Sequence, residues 1–216
     1  VAIGSQVPRD LPIEGRNLKG VYFAMEYLTM QNRLVAKQPI ITEDIIDAKG
    51  KNVLVIGGGD TGSDCIGTAN RQGAEPYPTV LKTSSSHKEG CQRRWSLNTK
   101  RFIGENGILT GVEVVEVVWV KGEDGKFIMQ ETDTPELLKI DLVFLALGFV
   151  HPEQDVLIKE LKLATDSRKN IQTDNIRMTN VSKVFGTGDC VSGQSLVVKC
   201  IASGRETAKH IDIYLN

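Results

Sequence analysis

Six residues, Gly57-Gly-Gly-Asp-Thr-Gly62, leave this 216-residue chain little freedom in how its middle folds. Gly57, Gly59 and Gly62 fit G-x-G-x-x-G. Before them runs Val53-Leu-Val-Ile56, a short unbroken apolar stretch of the kind that a parallel strand covered on both faces requires. After them, Ser63 to Gln72 has helical character, with Gly73 placed as a C-terminal cap. In that setting each glycine has a mechanical purpose. The first permits the tight turn out of the strand, the second lets backbone approach a pyrophosphate, and the third lets helix and strand pack closely. The helix start then presents free N–H groups and about half a positive charge to the phosphates. Gly57, Gly58, Gly59, Asp60, Thr61 and Gly62 are therefore candidate dinucleotide contacts. The competing reading is a structural turn in which Asp60 and Thr61 act as N-cap residues.

The motif then departs from its usual course. A second strand is expected after the helix, ending about twenty residues on with an acid for NAD or an arginine nearby for NADP. Glu75 lies near that distance but only two residues past Gly73, and Pro76 and Pro78 would spoil a strand there. The reading is that a strand and part of a loop, roughly twenty to thirty residues, are missing between Ala74 and Glu75. Downstream, Thr83-Ser-Ser-Ser86, His87, Arg93, Arg94 and Trp95 form a polar stretch. It reads either as a solvated loop or as a ligand-facing one, with Arg93 and Arg94 offering guanidinium forks to a 2′-phosphate.

Elsewhere, Val1 to Gly4 reads as an apolar strand, Ser5 to Gly20 as a turn-rich connection, and Phe23 to Leu34 as a helix. Lys37 to Gly50 is irregular. Gly111 to Val120 and Lys126 to Thr132 form a hairpin pattern across Gly122 to Gly125, Leu142 to Leu147 a second buried strand, and Val156 to Leu163 a short helix. Near the end the glycine pattern recurs. A short strand, Val184-Phe185, runs into Gly186-Thr-Gly-Asp189, ahead of a long helical pattern from Leu196 to Leu215. Asp189 can accept hydrogen bonds from sugar or ribityl hydroxyls. The helix start at Gln194 to Val197 would stabilise negative charge on a reduced flavin ring. A turn-forming Asp189 is the bland alternative.

Composition narrows the classes. Lys plus Arg is 26 against 27 for Asp plus Glu, so nothing points to nucleic acid or an anionic membrane. The longest apolar stretch, Leu142 to Leu147, is far short of the roughly twenty residues of a membrane span, and no targeting leader is visible. Cys65, Cys91, Cys190 and Cys200 form no C-x-x-C pair and no metal spacing with the three histidines. The expectation is a cytoplasmic protein with no metal or iron–sulfur site in these residues.

Taken together, Val1-Ala-Ile-Gly-Ser5, Pro8-Arg-Asp-Leu-Pro12, the Gly57–Gly62 loop with Asp64 and Cys65, and Lys100-Arg-Phe102 form a specific pattern. Ala146-Leu-Gly-Phe149, Gly188-Asp-Cys190 and Gly193-Gln-Ser-Leu-Val-Val198 complete it. The pattern resembles the small (β) subunits of bacterial NADPH-dependent glutamate synthases, flavoproteins with two dinucleotide-binding domains, over nearly the whole length. The resemblance implies an α/β fold in which a Rossmann-like NAD(P)-binding domain is inserted in an FAD-binding domain, here as a partial chain. Residues 1–20 and 156–216 would belong to the FAD domain and 21–155 to the NADPH domain. It implies an enzyme passing hydride from NADPH to FAD. Electrons would leave through iron–sulfur clusters, in a missing N-terminal domain or a partner, to a glutamate synthase large subunit making glutamate from glutamine and 2-oxoglutarate. Gly57 to Thr61 would meet NADPH; Gly188, Asp189, Gln194, Ser195 and Val197 would meet FAD. No side-chain general base is expected, because the cofactors carry the chemistry. The first FAD fingerprint, expected before Val1, is absent, which reads as a fragment. Two alternatives stand beside this: an NADPH-linked flavin subunit of another iron–sulfur oxidoreductase (dihydropyrimidine dehydrogenase-like or electron-bifurcating), and a non-catalytic nucleotide-binding fragment.

Overall fold

The computed structural model describes residues 1–41, 45–76, 91–122 and 125–216. The chain divides into two compact units, one of Val1–Arg9 with Gly148–Asn216 and the other of Asp10–Leu147.

Asp10–Leu147 is built in three layers. Its middle layer is a parallel sheet in the order β2-β8-β3-β4, from β2 (Val21–Phe23), β8 (Leu142–Leu145), β3 (Asn52–Ile56) and β4 (Glu75–Pro76). Val53 and Val55, with Leu142 and Phe144, turn to one face and pack on helices α1 (Ala24–Val35) and α2 (Asp60–Gln72). Leu54, Val143 and Leu145 turn to the other face. There they meet Phe102, Leu109, Val112 and Val114 of the antiparallel sheet β5-β6-β7, formed by Leu97–Glu105, Ile108–Lys121 and Phe127–Leu138. Both faces of β3 and β8 are covered, which is why these strands carry no polar alternation. On the helix side Tyr27 is fully buried, stacked on Phe144 at 4.1 Å between centroids. Its hydroxyl donates to Gln72 Oε1, which also accepts the Ala48 N–H, both at 2.9 Å. Cys65 lies in the same core, where burial pushes its thiol pKa well up, so it is an inert packing residue.

Two sequence readings are corrected in this unit. Glu75 and Pro76 do form a strand, pairing with Asn52 and Val53, and the Glu75 N–H donates to Lys51 O at 2.9 Å. Proline is tolerated because β4 is the edge of this sheet among the described residues and makes only two pairs. Helix α2 begins at Asp60 with Gly59 as its N-cap, so Asp60 and Thr61 are its first two residues and not caps. Gly73 ends the helix in the left-handed conformation, φ +84°. Strand β5 is an addition to the elements that the sequence pattern announces.

In the other unit β1 (Val7–Pro8) pairs antiparallel with β9 (Phe149–His151). A small core of Ile158, Leu163, Ile171 and Cys190 takes in Val1 and Ile3. Helices α3 (Leu157–Glu160), α4 (Asp189–Ser192) and α5 (Val197–Leu215) complete it. Val1 to Gly4 is not a strand. Its apolar residues serve the Ile171 cluster, and its backbone bonding to the 185–187 segment is at Val1, whose amine donates to Phe185 O at 2.5 Å and whose carbonyl oxygen accepts the Thr187 N–H at 3.0 Å. Val184-Phe185 is not a strand either, since Phe185 makes only an isolated bridge to Met178. Two apolar residues are too few to specify a ladder when the partner segment turns back so soon. Among the described residues, no helix is long and apolar enough to cross a membrane.

Candidate functional site

At the end of β3 the chain turns sharply through Gly57, φ +130°, where a Cβ would lie 2.1 Å from the Ala146 carbonyl oxygen. No side chain fits there. A Cβ on Gly62 would sit 2.9 Å from Gly57 O and 3.5 Å from Val55 Cγ1, so the first turn of α2 rests directly on the strand. Gly59 differs from both: its φ of −87° suits any residue, and a Cβ on it would meet nothing within 4 Å. The fold demands glycine at 57 and 62, whereas at 59 it leaves open space above the backbone. Asp60, Thr61 and Gly62 follow in the first helical turn, whose N–H groups have no carbonyl in the helix to bond. The turn, the open approach and the dipole together form a cradle that fits a pyrophosphate.

Arg93 and Arg94 lie just before β5. Arg94 donates from Nη1 and Nη2 to the two carboxylate oxygens of Glu136, at 2.8 Å for Nη1. These hydrogen bonds hold the Glu136 carboxyl below the usual carboxylate range and raise the arginine further. The guanidinium offered to a 2′-phosphate by the sequence is thus engaged by a carboxylate, 42 residues away in the chain, that no local pattern announces. The stretch Thr83 to His87 lies outside the described residues.

In the other unit Gly188, φ +73°, leads into α4, whose first residue is Asp189. Asp189 Oδ1 accepts hydrogen bonds from Ser195 Oγ at 2.9 Å and from Cys200 Sγ at 3.0 Å. Its backbone oxygen accepts one from Ser5 Oγ at 3.1 Å. Cys200 and Ser5 were not singled out in the sequence. The signal for Cys200 is its place in the first turns of α5, where side chains lean back towards the helix start. Helix α5 begins later than expected, at Val197, with Leu196 as N-cap, so Gln194 and Ser195 belong to the preceding segment. Val197 is exposed, and its N–H and that of Val198 fall in the first turn, without a carbonyl in the helix to bond. The Gln194 side chain is turned to the backbone, where its Oε1 accepts the Phe149 N–H at 2.8 Å.

Near this segment lies Asn170, 1% exposed, whose Oδ1 is buried without a hydrogen-bond partner among the described residues. Its Nδ2 is 3.8 Å from where a Cβ on Gly193 would be. An open acceptor near a turn bracketed by Gly188 and Gly193 fits a polar ligand or a bridging water better than a packed core. Asn170 is held by its own N–H donating to Asp166 Oδ1 at 2.9 Å. That bond, with a second from the Arg168 N–H, keeps the Asp166 carboxyl below its ordinary pKa. Among the described residues no group of three or more His, Cys, Asp and Glu is arranged to hold a metal ion.

The family model described as pyridine nucleotide-disulphide oxidoreductase matches residues 1–204. The chain is similar to the "Glutamate synthase [NADPH] small chain" of Mycobacterium tuberculosis, 40% identical over 240 aligned positions that cover 100% of this chain and 48% of that protein. It is also similar to "Glutamate synthase [NADH]" of Schizosaccharomyces pombe, 38% identical over 99% of this chain but only 12% of that one. The chain spans about half the length of the bacterial small chains it matches. In fold it resembles M. tuberculosis FprA, solved in complex with NADPH, at a TM-score of 0.73 and 13% identity, over 99% of this chain and 63% of that one.

Proposed function

The chain belongs to the pyridine nucleotide-disulphide oxidoreductase family, and from that premise we propose that it carries reducing equivalents from NADPH to FAD. On this reading they pass on, through iron–sulfur clusters outside these residues, to a glutamate synthase large subunit that makes glutamate from glutamine and 2-oxoglutarate. The observation that carries the reading is the division of labour among Gly57, Gly59 and Gly62. Two are glycine because the fold has no room, and one is glycine where only a ligand would need the space. Identity of 40% over the whole chain to a protein named for this activity supports the extension to glutamate synthesis.

Gly57, Gly58, Gly59, Asp60, Thr61 and Gly62 hold the NADPH pyrophosphate on backbone amides. Arg93 and Arg94 receive the 2′-phosphate, for which Arg94 exchanges Glu136 for a dianion. In the second cradle Gly188 brings backbone close to FAD, Asp189 accepts from its hydroxyls, and Ser195 and Cys200 fix that carboxylate's direction. Gln194 and Val197 set the approach of the α5 start, where the helix dipole favours developing negative charge. When bound, the nicotinamide supplies a hydride and the flavin takes it up. The protein contributes orientation and electrostatics, with no side-chain general base. On this reading the NADPH domain is the Asp10–Leu147 unit and the FAD domain the unit of Val1–Arg9 with Gly148–Asn216, in place of the expected 21–155 and 1–20 with 156–216. The protein works in the cytoplasm, away from membranes and nucleic acid.

The shortening after Ala74 is part of this proposal. The 240 aligned positions outnumber the 216 residues of this chain by 24, close to the size of one strand and its loop. Peptide mapping of the intact gene product tests it. The expected result is no tryptic peptide joining Gln72 directly to Lys82 as here, and finding that peptide unbroken overturns the idea.

Relatives named for NADPH and for NADH match at 40% and 38% identity, so the choice of reductant is tested directly. The intact gene product is expected to be yellow and to bleach anaerobically with NADPH at least about tenfold faster than with NADH. A tenfold preference needs only about 1.4 kcal/mol, within what one guanidinium–phosphate pair supplies. A colourless protein with no flavin overturns the proposed carrier.

A further inference from the structure

The chain leaves the Val1–Arg9 unit after Arg9 and returns to it at Gly148. Both ends of that excursion are tied to the candidate flavin cradle by consecutive hydrogen bonds. Arg9 N–H donates to Gly148 O at 2.8 Å, and the next residue, Phe149, donates its N–H to Gln194 Oε1, also at 2.8 Å. Gly148 is in the left-handed region, φ +81°. A Cβ there would lie 2.8 Å from Gln194 Oε1 and 3.1 Å from Nε2. The carboxamide therefore lies against the Gly148 Cα, and any larger residue at 148 would displace it. Beside Gln194, Ser195 donates to Asp189, and two residues further on α5 begins. Adjacent Cα atoms are about 3.8 Å apart, so there is no slack between these two ties.

We propose that Gln194 is a positioning residue that transmits the place of the re-entry strand to Asp189 and the start of α5. This deepens the functional reading above and rests on it. Gln194 touches the cofactor less through its side chain than through where it sets the segment 194–198. The alternative is a local surface hydrogen bond whose loss is felt only at Phe149.

Hydrogen exchange on the intact gene product separates the two, without need of flavin. In Gln194→Ala the Phe149 amide loses its acceptor. Exchange is expected to rise roughly two- to tenfold over residues 148–151, the range for one neutral hydrogen bond. The proposal requires a rise of similar size over residues 195–200 and restoration of both segments in Gln194→Glu, which keeps an acceptor at the same reach. A rise confined to 148–151, no rise at all, or no restoration in Gln194→Glu overturns it. If Gln194→Ala does not fold, Gln194→Asn, one methylene short of the Phe149 amide, takes its place under the same criteria. The flavin reports independently: Gln194→Ala should shift its midpoint potential and the shape of its visible band, with Gln194→Glu closer to wild type on the band shape. Wild-type protein lacking flavin would overturn the functional reading while leaving the exchange result to decide this one.

Discussion

Gly59→Ala is expected to weaken NADPH binding about tenfold or more while leaving Tm within a degree or two, and Gly57→Ala to lower Tm steeply. At Gly59 the backbone already has an ordinary φ and an added methyl meets no protein atom within 4 Å. As the N-cap of α2 the position favours glycine over alanine by roughly 0.5–1 kcal/mol, and alanine restricts the unfolded chain by roughly 0.4–1 kcal/mol in the protein's favour, so the two nearly cancel. Only a phosphate lying on the backbone would meet that methyl, and overpacking of this kind costs about 1–3 kcal/mol. At Gly57 the methyl would sit 2.1 Å from Ala146 O at φ +130°. The opponent is backbone one residue past the end of β8, fixed by the Ala146 N–H donating to Ile56 O at 2.8 Å, and cannot swing aside. Conformational strain and overpacking each cost about 1–3 kcal/mol, so the sum is on the order of 4 kcal/mol, roughly 10 °C for a chain of this size. Thermal melts and fluorescence titration with NADPH read the two effects separately. NADPH bound normally by Gly59→Ala would mean that no phosphate rests on that loop.

Tyr27→Ala is expected to be the most destabilising single change in the helical face of the Asp10–Leu147 unit, by about 3–5 kcal/mol. The ring is fully buried and stacked on Phe144, so its removal leaves a cavity between α1 and the centre of the sheet. Tyr27→Phe keeps the ring and removes one hydrogen bond, about 1 kcal/mol, because Gln72 Oε1 retains the Ala48 N–H. Urea unfolding of the two variants gives the comparison. Losses of equal size would mean that the Gln72 contact, and not the packing, dominates.

How much of this was legible in the sequence follows from how local each cause is. Val53 to Ile56 and the strand expected over Leu142 to Leu147, which ends two residues sooner at Leu145, are legible because covering both faces of a strand writes itself as an unbroken apolar run. The glycine loop is legible because its constraints lie within six residues and against their own strand and helix. Strand β5 is not, because it buries only Phe102 fully and its Lys100 and Arg101 are answered across the sheet by Glu131 and Glu113. Those partners are fixed by register, which no window along the chain contains. Val1 to Ile3 is apolar for the sake of a small cluster and not a sheet, and composition does not distinguish the two. In the second cradle Asp189 is visible beside its glycine, whereas Cys200 reaches it only because the chain turns back through Gly193, φ +82°, before α5. The Arg94–Glu136 pair is hidden for the same reason, and it changes what the arginine must give up before it serves a ligand.

The single N–H···O bond from Arg9 to Gly148 also bears on modularity. Where an excursion departs and comes back at hydrogen-bonded neighbours, a short linker from Arg9 to Gly148 would seal the host with little loop-closure entropy. Excising Asp10–Leu147 would then leave β1 and β9 free to pair as they do now. Such geometry is what lets one folded module be spliced into another, or exchanged for a relative, without rewriting the recipient.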